Sequence, residues 1–143
     1  NSLNDYEEGT YTPVVYYDAT NDHSYSEQYG HYTKIGNFVH GTIVLTWNEN
    51  NSTGQVGFSL PFTSASPSTT RTSGYFIYQD GMDIPNSGSP HLILYGGNNS
   101  VKTYAYFVGG NDDSEMGPGS TYLDSSHTSS ANTVRIVFHY LAS

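Results

Sequence analysis

Alternation of apolar and polar residues recurs in segment after segment of this chain, and no ten-residue window carries a helical stripe. That periodicity restricts the fold to one built from half-buried strands, each with one face turned to a core. Phe38 to Trp47 is the clearest case. Val39, Gly41, Ile43, Leu45 and Trp47 share one face, and Phe38, His40, Thr42, Val44 and Thr46 share the other. Val134, Ile136, Phe138 and Tyr140 alternate with Thr133, Arg135, Val137 and His139, and Val56, Phe58 and Leu60 with Gln55, Gly57 and Ser59. Tyr11–Tyr17, Tyr29–Ile35, Ser73–Gln79, His91–Tyr95 and Val101–Val108 follow the same rule, which predicts about eight strands.

Turn chemistry separates the strands. Lys34-Ile35-Gly36-Asn37 predicts a tight hairpin, with Gly36 or Asn37 accepting a positive φ. Polar loops are expected at Asn48–Gly54 and Gly96–Ser100, and longer ones at Asp80–Pro90 and Gly109–Ser130. Ser, Thr, Asn and Gly fill 61 of the 143 positions, which suits hydroxyl-rich outer faces and many turns. The fold class expected is all-β: a two-sheet antiparallel β-sandwich, most plausibly a jelly roll, with Greek-key and immunoglobulin-like sandwiches open. Its core should include Val39, Ile43, Leu45, Val56, Phe58, Leu60, Phe76, Leu92, Leu94, Phe107, Ile136 and Phe138, with Trp47 also inside.

Charge narrows the partners. Lys34, Arg71, Lys102 and Arg135 face 13 acidic residues, for a net charge of −9. Such a surface repels phosphate backbones and anionic membranes, so neither nucleic acid nor membrane insertion is expected. Apolar runs are far too short to span a bilayer. With no cysteine there is no disulfide, Cys–zinc site or thiol chemistry. The chain has no initiating Met or signal segment and reads as an excised domain.

Leu3-Asn4-Asp5-Tyr6-Glu7-Glu8-Gly9-Thr10-Tyr11-Thr12-Pro13 is the most distinctive run. About 20 residues later comes Tyr32-Thr33-Lys34-Ile35-Gly36-Asn37-Phe38-Val39, then the apolar-Pro-Phe step Leu60-Pro61-Phe62 and a closing strand. In this order the four features resemble the C-terminal domains of bacteriophage tail fibres and tailspikes, which open on "DYEEGTWTP" and continue with "YTKIGN". Tyr11 stands where that family usually has Trp. The resemblance implies a jelly-roll sandwich, usually trimeric, at the distal end of a virion fibre, where such domains cap the trimer and bind host-surface glycan. Residues 1–12 would then be a connector from a preceding shaft, with Tyr6 and Tyr11 packed on the sandwich edge, or a calcium or glycan site made by Asp5, Glu7 and Glu8, and 13–143 a single sandwich domain.

Motifs for chemistry are missing. There is no Gly-x-Ser-x-Gly elbow, phosphate loop, His-Glu-x-x-His or EF-hand, so the domain is not expected to be an enzyme. The six histidines sit singly; His31 and His40 flank the expected hairpin, as cross-strand packing or as a metal pair. Asp112, Asp113 and Glu115 in one long loop, and Asp80 and Asp83 in the other, offer oxygens for Ca2+ if any cofactor is bound; otherwise none is expected. Fourteen tyrosines exceed the needs of one core, and phenol rings beside Asn, Asp and Thr suit either sugars or subunit interfaces. The tyrosines from Tyr16 to Tyr32 cluster before the hairpin, and Tyr104 and Tyr106 share one strand face. The expected ligand-binding residues are Tyr104, Tyr106, Asp80, Asp83, Asp112, Asp113 and Tyr122, at the long loops. Three functions compete: a trimeric receptor module binding host cell-surface polysaccharide, a structural trimer cap, and part of a glycan-degrading tailspike. The first is expected, because a neutral, hydroxyl-rich polymer suits such a surface.

Overall fold

A computed structural model describes residues 5–18, 23–50, 52–66, 72–83, 91–96, 99–108 and 122–143. Nine strands run through them: β1 Tyr6–Tyr11, β2 Val15–Tyr17, β3 Ser24–Ile35, β4 Phe38–Asn48, β5 Val56–Ser59, β6 Thr72–Met82, β7 His91–Gly96, β8 Lys102–Val108 and β9 Thr128–Leu141. Among the described residues no helix is long and apolar enough to cross a membrane. The all-β, antiparallel expectation holds. The division into two sheets is corrected: all nine strands join one sheet in the order β1-β3-β4-β9-β6-β7-β8-β5-β2.

This sheet curls until its limbs face each other. Trp47 on β4 meets Phe58 on β5 edge to face at 6.4 Å between centroids, and Phe58 meets Phe76 on β6 at 5.8 Å. Every residue expected in the core is buried except Phe76, which packs half-buried against it. Trp47 is wholly buried and donates its indole N–H to the Tyr17 hydroxyl at 3.2 Å.

Closure follows from one short step of chain. The segment Tyr11–Tyr17, expected as one strand, is two, and they lie on opposite edges of the sheet. Only Thr12, Pro13 and Val14 join them, so the edges cannot separate by more than about 14 Å. Pro13 has no amide hydrogen for a ladder, and it sits where β1 stops pairing with β3. Its carbonyl accepts from Gln28 Nε2 (2.9 Å), the Val14 amide donates to Ser59 Oγ (2.8 Å) and the Val15 amide to the Tyr25 hydroxyl (3.0 Å). Within the segment 1–12, expected as a connector, Tyr6–Tyr11 is therefore an edge strand paired along its whole length with β3.

Glycines opposite aromatics shape the curl. In register, Gly9 faces Tyr32 and Tyr11 faces Gly30, so each tyrosine covers the glycine of the other strand. Tyr32 in turn faces Gly41, Gly41 faces Phe138 and Phe138 faces Gly74. Large rings fill the space that missing Cβ atoms leave on the inner face, which lets the strands bend tightly. The hairpin is as expected, with Gly36 at φ 60° in a two-residue turn between Ile35 and Phe38. Two irregularities lengthen β6 beyond the expected Ser73–Gln79, one at Ile77 and one at Gly81 (φ 80°).

Two outcomes follow. At Gly41 a Cβ would sit 2.5 Å from both the His31 carbonyl oxygen and the Phe138 ring. Gly41→Ala should cost about 2–3 kcal/mol by urea unfolding at fixed protomer concentration. Gly36→Ala, with open space around it, should cost only about 1–2 kcal/mol of left-handed strain. The second outcome concerns alkali. Burial raises the Tyr11, Tyr17 and Tyr140 hydroxyls, Tyr17 to about 12 from its ordinary 10.0. Because the fold holds these phenols neutral, their contribution is complete below pH 10 and is lost as pH rises through the folded values, Tyr17's share by about 12 and the other two beyond it. Loss of β circular dichroism should therefore begin above pH 10 and deepen toward 12, and a β signal unchanged up to pH 12 would refute the coupling.

Candidate functional site

The outer face of the limb β1-β3-β4-β9-β6 is ordered in rows across the strands, set by the register. Tyr6, Ile35 and Phe38 form one exposed apolar row at the hairpin end. Tyr29, Val44 and Tyr78 form a second, mostly apolar row further along, interrupted by the exposed Arg135, whose guanidinium lies 5.7 Å from the Tyr78 ring centroid; Tyr29 is 62% exposed. Between them lie two polar rows: Glu8, Thr33 and His40, then Thr10, His31 and Thr42.

Those two rows wall a groove of about 550 Å³, floored by the backbone of Gly9, Tyr32 and Gly41. The floor is backbone because these three residues point inward, where Gly9 and Gly41 meet rings. His31 and His40 are diagonal neighbours on this face, since His31 faces Thr42 and Thr33 faces His40. The walls supply three hydroxyls, two imidazoles and one carboxylate. Glu8 Oε2 accepts from the Tyr6 hydroxyl at 2.6 Å, leaving Oε1 for another partner. That bond raises the Tyr6 hydroxyl. Glu7, on the inner side, accepts from Tyr32 (2.6 Å). No wall residue carries a fixed positive charge. The arrangement can donate to and accept from a hydroxylated ligand at many points, with apolar rows on either flank.

The residues expected to bind ligand lie elsewhere. Tyr104 and Tyr106 are on the outer face of β8, half-buried, and Tyr106 packs edge-on to Tyr95 at 5.9 Å. Tyr122 is exposed and forms an isolated bridge with Tyr106, so these two are brought together. That limb packs its inner face on β4 and β6 through Phe58, and so turns its outer face away from the groove. Asp80 and Asp83 are exposed at the end of β6, where Asp80 Oδ1 accepts from the Gly81 amide (2.9 Å). Asp112, Asp113 and Glu115 fall outside the described residues. Among those described, no three His, Asp or Glu side chains are grouped to hold a metal. Of the early tyrosines, Tyr17 is in the core, Tyr25 is tied to Val15, Tyr16 lies under Lys102 Nζ at 4.0 Å, and Tyr29 stands out to solvent.

Of the expected loop Gly109–Ser130, residues 109–121 lie outside the described ones, Thr128–Ser130 belong to β9, and the turn before β9 is held by Asp124. It caps the 3-10 turn Ser125–His127, accepting from the Ser126 amide (2.8 Å) and hydroxyl (2.5 Å) with His127 Nδ1 at 2.9 Å, and β9 starts straight after at Thr128. Desolvation pushes the Asp124 carboxyl up, but the Ser126 bonds and the His127 charge outweigh it and hold it below its ordinary value of 3.8.

No protein-family model and no curated protein matches the sequence. The fold, however, is one that a phage tailspike also uses. The structure is similar to a part of the Dettilon tailspike protein (gp208) in its crystal form, with a TM-score of 0.68 and 18% identity over 94% of this chain. The chain spans 23% of that protein's length.

Replacing Asp124 with Ala should cost about 1 kcal/mol at neutral pH, the usual worth of a cap. Since the folded carboxyl titrates below 3.8, that difference persists above this value and closes as pH falls through the folded one. Parallel thermal melts from pH 2 to 7 of both proteins would show it, and a gap unchanged at the acid end would refute it.

Proposed function

We propose that this domain is a host-recognition module of a phage tail fibre or tailspike, at the distal end of the virion fibre, binding neutral cell-surface glycan as a trimer and without chemistry. The observation that carries the reading is the groove over β1, β3 and β4, whose walls offer hydroxyl, imidazole and carboxylate groups between two exposed apolar rows. A sugar presents hydroxyls around its rim and C–H groups on its faces, and a site of this composition matches both. The shared fold with a part of a tailspike supports the setting. So do the quoted motifs, whose glycines and tyrosines build the groove's floor and the sheet beneath it.

Trimerisation is implied by the motif resemblance, and Val101 and Tyr122, exposed on the limb that turns away from the groove, leave apolar surface that a second copy can cover without closing the groove. Weak single-site binding, about 4 kcal/mol at millimolar dissociation constants, then gains by avidity when three sites engage one polymer.

Thr33→Ala combined with His40→Ala removes one wall without touching the core. Host-cell adsorption should fall about tenfold, a loss of about 1.4 kcal/mol, while light scattering still gives a trimer and the thermal midpoint holds. Unchanged adsorption by an intact trimer would reject the recognition reading in favour of a structural cap, and a monomer at tens of micromolar would reject the trimer.

A further inference from the structure

The groove's geometry does not stop at β4. Its floor row continues in register from Gly41 to Phe138 on β9 and Gly74 on β6, residues that again point inward. One wall continues from His40 to His139 and Ser73, and the other from Thr42 to Val137 and Tyr75. Ser73 Oγ and His139 Nε2 are 2.7 Å apart, so the first wall is tied across two strands. Tyr75 is 53% exposed at the end of the second.

From β1 to β6 there are four inter-strand steps of about 4.8 Å each, or about 19 Å in all. That is the reach of a short oligosaccharide rather than of one sugar. Charge points to the same class of occupant. Neither extended wall contains Lys or Arg, Glu8 is the one carboxylate, and the chain's net charge of −9 works against a polyanion.

We propose that the ligand is a linear, uncharged polysaccharide lying across the strands, following the curl of the sheet from Glu8 to Tyr75. Glu8, Thr10 and Thr33 take hydroxyls at one end. His40 and His139 line the middle, and the Tyr75 ring stacks on a sugar face at the other end. This rests on the glycan reading above and adds the polymer's direction, its length and a far subsite that the recess itself does not include.

The test is a size ladder of neutral bacterial surface oligosaccharides, disaccharide to octasaccharide, screened on an array and titrated against the intact protein. Affinity should rise about tenfold from disaccharide to tetrasaccharide and then level off. Tyr75→Ala should abolish that rise while leaving disaccharide binding unchanged, and Tyr75→Phe should retain it. Equal affinity for disaccharide and tetrasaccharide would overturn the extended site and leave glycan recognition standing. No binding anywhere on the ladder, with adsorption indifferent to Thr33→Ala and His40→Ala, would overturn both. Dissociation of the trimer by Tyr75→Ala would overturn the subsite by showing this face to be a contact between copies of the chain.

Discussion

Three residues, Thr12 to Val14, hold the two edges of a nine-stranded sheet together, and the rest of the molecule follows from that tie. A sheet whose first strand is one edge and whose second is the other cannot lie flat. It must curl until β2 comes round to β5, and in doing so it presses Trp47 and Phe76 onto Phe58. Proline suits the tie because the ladder ends there, so its missing amide costs nothing. The bonds from Gln28, Ser59 and Tyr25 then fix the path of the chain between limbs.

Curling on this scale crowds the inner face, and the sequence relieves the crowding with glycine. The reciprocal pairs Gly9–Tyr32 and Gly30–Tyr11 explain why Gly-x-Tyr stands both in the opening run and just before the hairpin. Two copies of one tripeptide, run antiparallel, place each ring over the other's glycine. Since the covered positions face inward, the opposite side of the sheet is bare backbone between two rows of side chains, which is the groove. The packed inner face and the groove are thus the two sides of one row of residues.

Much of this was legible in the chain. Phe38–Trp47 declared its inner and outer faces by alternation alone, and the Gly36-Asn37 turn fixed the register that makes His31 and His40 diagonal neighbours. What alternation does not carry is the pairing of strands distant in sequence. His40 beside His139, and His139 beside Ser73, depend on β9 entering between β4 and β6, a choice made by the whole fold. Tyr11 and Val15, on either side of Pro13, read as one strand because both point to the core, although a proline between them is where a ladder must stop. Attention to tyrosines and long loops led to Tyr104, Tyr106 and Tyr122, while the groove's own residues are mostly threonine and histidine, ordinary occupants of an outer strand face.

The placement of β9 also governs how the molecule is made. Thr128–Leu141 is the last strand in chain order, yet it lies between β4 and β6 and pairs with both. Until it arrives, the β1-β3-β4 ribbon and the β6-β7-β8 ribbon each present an open, partly apolar strand edge with nothing beside it. Such edges recruit other chains. Folding of so non-local a topology is slow, since distant segments must meet before any contact rewards them. Synthesis therefore leaves two half-sheets waiting on one late segment. That wait is when neighbouring chains can either pair wrongly with the open edges or align on them.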